Sequence, residues 1–144
     1  MSLKDGTKKM SKSDPSDLSR INLTDEKDLI INKIKKAKTD NMPMPTIEEN
    51  LEKRPEVENL LGIYSSLSNQ TLEQSKKEFN GKNFSDFKEK LSDLLVEKIT
   101  PISKEIKKLL NDEKNLDRIL YDGSQKADKI ASEKIEKIKQ IMGF

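Results

Sequence analysis

Apolar residues recur every three or four positions through most of the second half of the chain, a period that an α-helix converts into one continuous face. Phe84, Phe87, Leu91, Leu94, Leu95, Ile99, Ile102, Ile106 and Leu109 form one such stripe. It keeps its phase through Pro101, so a single helix that bends at the proline is expected. A second stripe runs Leu116, Ile119, Leu120, Ala127, Ile130, Ala131, Ile135, Ile138, Ile141 and Met142, and Gly143 suits a left-handed cap at its end. Gly123 within it marks a kink or a close helix contact. Two long amphipathic helices with shorter ones beside them pack as an antiparallel bundle, stripes inward and Lys/Glu faces outward, so the expected fold class is all-α.

The shorter elements are read from their ends. Thr24 is placed to cap a helix carrying Ile30, Ile31, Ile34 and Ala37 and ending near Thr39. Met42-Pro43-Met44-Pro45 follows, where each proline pushes the preceding residue to an extended conformation, and reads as a hinge or linker. Thr46 and Glu49 have capping-box spacing, but Pro55 leaves room for a turn or two of helix at most. Pro55 itself suits the first position of a helix with Val57, Leu60, Leu61, Tyr64 and Leu67 on one face. Thr71 and Gln74 form another capping box, opening a short helix that ends before Asn80-Gly81. Residues Met1 to Arg20 show no hydrophobic period and read as a loop, with a helix start at Asp14-Pro15. Residues 1–40 thus lack apolar support and look like a piece of another domain, joined to a helical body over residues 41–144.

An apolar share of 32% implies a thin core, while 28 basic and 26 acidic side chains interspersed at helical spacing read as solvated helix faces. A net charge of +2 neither demands nor excludes RNA. The chain has no Cys and no His. That removes disulfides, thiol nucleophiles, imidazole bases and the common zinc sites, and leaves chemistry to Lys, Ser, Asp and Glu. No stretch approaches the ~20 apolar residues needed to cross a bilayer, and the polar start does not read as a signal peptide, so a cytoplasmic location is expected.

Lys8-Lys9-Met10-Ser11-Lys12-Ser13 gathers three ammonium groups and two hydroxyls in a loop beside a candidate helix start. Such a segment suits a polyphosphate, with lysines as mobile point charges and hydroxyls and amides around the anion. It equally suits an ordinary solvated basic loop, which is the commoner case. Elsewhere, Tyr64 and Tyr121 read as core anchors rather than base-stacking platforms, and Lys126 and Lys129 as solvated helix positions rather than phosphate contacts.

Lys9-Met10-Ser11-Lys12-Ser13 also resembles, letter for letter, the second signature of the class I aminoacyl-tRNA synthetases. The surrounding residues resemble the bacterial tryptophanyl-tRNA synthetases. They are Met1 to Gly6 before the signature, Asp14-Pro15-Ser16-Asp17 and Ile21 to Asp25 after it, then Ile34 to Asp40, Pro55 to Leu61 with Ile63-Tyr64, Pro101-Ile102, and the final Ala127 to Gly143 stretch. The resemblance implies a ligase that activates tryptophan with ATP, presented with Mg2+ as a substrate complex and with no tightly bound cofactor, and then charges the tRNA for tryptophan. It implies that Lys9 and Lys12 act on the departing pyrophosphate, and that Lys9, Met10, Ser11, Lys12 and Ser13 hold ATP. It implies an anticodon-binding helical body whose tRNA-reading residues stay unassigned. The family's Rossmann-like nucleotide fold and its other signature have no counterpart here. The expectation is therefore a C-terminal part of the synthetase, inactive alone, whose parent dimerises through the absent region. A stand-alone RNA-binding module and a helical interaction protein are the alternatives.

Overall fold

The computed structural model describes residues 1–143, in which helices form and no strand does. In chain order these are α1 (Lys27–Lys36), α2 (Pro55–Ser68), α3 (Leu72–Phe79), α4 (Phe84–Asn111) and α5 (Glu113–Met142), with a 3-10 turn over Asp17–Ser19. The expected all-α class is met. The chain divides into two compact units, one over Met1–Lys104 and one from Glu105 onward.

The first unit holds the core. Ile30 and Ile34 of α1, with Ala37 just past its end, meet Val57, Leu60, Leu61 and Tyr64 of α2, Phe79 of α3, and Phe87, Leu91, Leu95 and Ile99 of α4. Tyr64, Phe79 and Phe87 stack edge to face, with Phe79 centred 4.9 Å from each of the other two rings. Such pairs contribute roughly 0.5–1.5 kcal/mol each beyond area burial. Tyr64 is the core anchor expected of it, its hydroxyl donating to Glu78 Oε1 at 3.1 Å. Leu3, Met44 and Leu51 join the same cluster. Residues 1–40 are therefore not without apolar support: Leu3 and α1 bury side chains in the common core, a contact between distant segments that local periodicity does not reveal.

Helix ends set by local chemistry fall where the sequence placed them. Pro55 is the first residue of α2, Thr71 and Gln74 exchange both capping-box bonds at the start of α3, and Gly143 ends α5 at φ 79°. Helix α4 runs unbroken through Pro101. Helix α1 differs. It starts at Lys27 rather than beside Thr24, because Asp25 turns inward to an ammonium group instead of opening a helical turn. It stops at Lys36 rather than near Thr39, because Ala37 is extended and Lys38 gives its amide to Leu3. Lys88 closes that end by donating to the carbonyls of Lys35 and Ala37 at 3.1 and 2.7 Å. Thr46 starts only a turn, with Glu49 donating back to its carbonyl.

The stretch around Met42-Pro43-Met44-Pro45 is no free hinge. Met44 and Pro45 are buried, the Met44 amide pairs with the Lys82 carbonyl, and Arg54 grips the segment from below. In the second unit the outcome is opposite. No residue of α5 is buried, and Ile130 and Ile141 are 66% and 85% exposed. That unit consists of the end of α4 and the far longer α5, which leaves most of the stripe without cover. Tyr121 lies on this uncovered helix and is exposed, so it is not a core anchor. Gly123 has no atom near enough for a close helix contact.

Candidate functional site

The candidate loop rises from one limb and returns by another, and both limbs are bound to the helical body. On the rising limb, Leu3 is buried and its peptide pairs on both sides: its amide donates to the Ser19 carbonyl at 2.9 Å, and its carbonyl accepts from the Lys38 amide at 2.8 Å. The Asn59 side chain of α2 accepts from the Met1 ammonium at 3.0 Å and donates to the Ser2 carbonyl at 3.2 Å. Gly6 lies directly against the start of α2. A Cβ there would come within 2.4 Å of the Pro55 carbonyl carbon and oxygen, so only glycine fits. The limb then turns on Asp5, whose carboxylate accepts from the Thr7 hydroxyl and amide at 2.6 and 3.1 Å. Those bonds, the side-chain one foremost, hold the Asp5 carboxyl below the usual carboxylate range. The Ser2 amide donates to Lys8 and closes the base.

Beyond that base, Lys9, Met10, Ser11, Lys12 and Ser13 are all exposed. Their lysines are not equivalent to Lys8, whose ammonium sits 3.3 Å from Asp5. Lys9 and Lys12 have no such partner among the described residues. The hydroxyls of Ser11 and Ser13 lie 3.1 Å apart, and the Asp14 amide donates to the Ser11 carbonyl at 3.3 Å.

The return limb is fixed by charge. Lys33 of α1 is fully buried, and its ammonium lies 2.6 Å from both Asp17 Oδ2 and Asp25 Oδ2. Asn22 ties the two carboxylates together, its side-chain amide donating to each and its backbone amide to Asp25. Arg20 adds a second cation 3.3 Å from Asp17 and donates to the Asp14 carbonyl at 3.1 Å. The hydrogen bond from Lys33, then that from Asn22, holds the Asp17 carboxyl below its ordinary range. Sequence reading missed this cluster, although a signal existed: Lys33 falls on the same face of α1 as Ile30, Ile34 and Ala37, a position where an unpaired charge is costly.

The arrangement offers two unpaired ammonium groups and two hydroxyls on a tip whose base is anchored. Two unit charges 4 Å apart attract by about 1 kcal/mol in bulk water and about 4 kcal/mol at the dielectric of a protein surface. Fully solvated, such a tip holds a polyphosphate weakly; covered by other protein, it holds one well. Lys126 and Lys129 lie exposed on α5, in keeping with solvated helix positions.

A family profile described as tRNA synthetases class I (W and Y) matches residues 1–100. The tryptophan–tRNA ligase of Brucella melitensis biotype 1 is 51% identical over 144 residues, which is 100% of this chain and 41% of that protein. That of Rickettsia conorii is 48% identical over 144 residues, 100% of this chain and 43% of its own length. The crystal structure of tryptophanyl-tRNA synthetase from Mycoplasma pneumoniae matches with a TM-score of 0.82 at 26% identity, covering 100% of this chain and 43% of that one. The chain thus spans about two fifths of the length of the relatives it matches.

Proposed function

The chain belongs to the class I tRNA synthetases of the tryptophan and tyrosine type, and from that premise we propose that it is the part of a tryptophan–tRNA ligase that carries the pyrophosphate-binding signature loop and the tRNA-binding helices. The observation that carries the reading is the state of Lys9 and Lys12: exposed and unpaired, on a tip whose two limbs are pinned.

In the proposed reaction the carboxylate of tryptophan attacks the α-phosphorus of ATP, presented with Mg2+, and the bond to the bridging oxygen breaks. Tryptophanyl-adenylate forms and pyrophosphate departs with the electron pair. Negative charge gathers on the leaving group, and ammonium groups that meet it there stabilise the transition state more than the ground state. That is the role assigned to Lys9 and Lys12. Met10, Ser11 and Ser13 contribute backbone and hydroxyl groups to the triphosphate. A terminal hydroxyl of the tRNA for tryptophan then takes the tryptophanyl group and releases AMP.

Residues 1–40 serve in this reading as the end of the catalytic domain and residues 41–144 as the helical tRNA-binding domain. The tryptophan pocket and the remaining ATP contacts belong to the part of the enzyme this chain does not span, which also carries the dimer contact. The chain alone is then inactive, because a solvated tip lacks the cover that makes its charges effective. No helix among the described residues is long and apolar enough to cross a membrane. The proposed work on tRNA assigns the enzyme to the cytoplasm.

The test is a chimera in which this chain replaces the matching segment of a longer relative. Tryptophan-dependent exchange of pyrophosphate into ATP is the expected result. A folded chimera without exchange, beside an active parent, would sink the reading.

A further inference from the structure

The signature tip is carried by its limbs, and the return limb is held by one buried ammonium group beside the backbone bond from Leu3 to Ser19. We propose that Lys33 is a positioning residue for the loop: by drawing Asp17 and Asp25 together it fixes the return limb and so sets where Lys9 and Lys12 stand. The inference deepens the proposed function and rests on it for the identity of the anion.

The linkage can be followed bond by bond. Lys33 holds Asp17 at 2.6 Å, and Asp17 holds Arg20 at 3.3 Å. Arg20 donates to the Asp14 carbonyl at 3.1 Å, the Asp14 carboxylate accepts from the Ser16 amide at 2.8 Å, and the Asp14 amide donates to Ser11. Ser11 lies between the two lysines. A neutral side chain at position 33 leaves two carboxylates, bridged by Asn22, with no buried cation between them. Like charges so placed repel, and the half-exposed one, Asp17, is free to swing to solvent while buried Asp25 is not. The expected consequence is local: the 3-10 turn Asp17–Ser19 loosens and takes Asp14 and Ser11 with it. The rising limb keeps its own anchors at Asn59, Lys38 and Pro55. Lys33 touches neither the tip nor any anion bound there, so it acts through others.

The experiment compares the 144-residue chain with its Lys33→Met and Asp17→Ala variants by amide NMR, with and without inorganic pyrophosphate. Asp17 is half exposed, which keeps the second variant informative should the first fail to fold. The expected result is displaced amide signals at Ser11, Ser13 and Asp14, ring signals of Tyr64, Phe79 and Phe87 in place, and pyrophosphate affinity reduced at least threefold. Asp17→Glu, which keeps the charge, should restore most of that loss. Affinity within threefold of the parent in every folded variant overturns the proposal. If the parent chain holds pyrophosphate too weakly to measure, as its solvated tip allows, the anion-binding reading is decided by the exchange assay of the chimera. The positioning role is then decided by the tip amides alone, and unmoved signals overturn it.

Discussion

Arg54 Nε and one terminal nitrogen take the two oxygens of Asp40 at 2.7 and 2.8 Å, a two-point grip across fourteen positions of chain. The side chain is 6% exposed, and its terminal nitrogens also donate to Glu49 at 2.8 Å and to the Pro43 carbonyl at 2.8 Å. One side chain therefore ties together both ends of the proline-rich stretch between α1 and α2. Removing it leaves two carboxylates and a carbonyl without that partner. Arg54→Leu should lower stability by about 2–3 kcal/mol in urea unfolding, and Arg54→Lys should recover only part of that because the fork is lost. A loss below about 0.5 kcal/mol would mean the grip is ornamental.

The same pair makes an acid-sensitive contribution. Hydrogen bonding from Arg54, opposed by partial burial and aided by the Met42 amide, holds the Asp40 carboxyl below its ordinary value of 3.8. A lowered folded-state value means stability that is complete above the unfolded-state pKa and lost as pH falls through the folded one. Thermal melts from pH 6 down to about 2 should therefore show a steeper decline below about pH 4 in the parent than in Asp40→Asn. Parallel curves would remove Asp40 from the acid response.

Gly6 against Pro55 gives a sharper test of the rising limb. Gly6→Ala puts a methyl group where backbone atoms stand 2.4 Å away, and backbone does not yield as a flexible side chain does. The limb must lift, at a cost of roughly 1–3 kcal/mol. Hydrogen exchange should accelerate at the amides of Ser2 and Leu3, which donate to Lys8 and Ser19. Unchanged exchange at both would show that the contact relaxes elsewhere.

In the chimera that tests the proposed function, Lys12→Ala should slow pyrophosphate exchange by on the order of a hundredfold or more. An unchanged rate would withdraw Lys12 from the chemistry while leaving the fold intact.

Phe79 and Ile130 are both apolar residues on helices, yet their expected energetics differ. Phe79 is fully buried against two rings, and Phe79→Ala should cost about 3–5 kcal/mol. Ile130 is exposed in this chain, and Ile130→Ala should fall within about 0.5 kcal/mol of neutral. Urea titrations of the two variants decide both.

That contrast also marks how far the sequence could be read. Caps at Pro55, Thr71 with Gln74, and Gly143 were legible because a few neighbouring residues settle each of them. Periodicity told which face of α4 and α5 is apolar, but not whether anything lies over it, so Ile99 and Ile130 looked alike and ended apart. The limits of α1 were missed because Asp25 answers to Lys33 and Ala37 to Lys88, partners that no local window pairs. At the candidate site, a recognisable five-residue signature gave the tip. Its mounting on Leu3, Gly6, Asp17 and Lys33 required the fold.

The doubly paired peptide of Leu3 has a mechanical consequence. With Ser19 on one edge and Lys38 on the other, the two stems of the loop and the tail of α1 are laced into a three-ply seam. Such a seam resists swivelling as a lid would on a slack tether. Excursions of the charged tip toward a ligand must then arise from torsions between Leu3 and Ser19, the span that the seam closes.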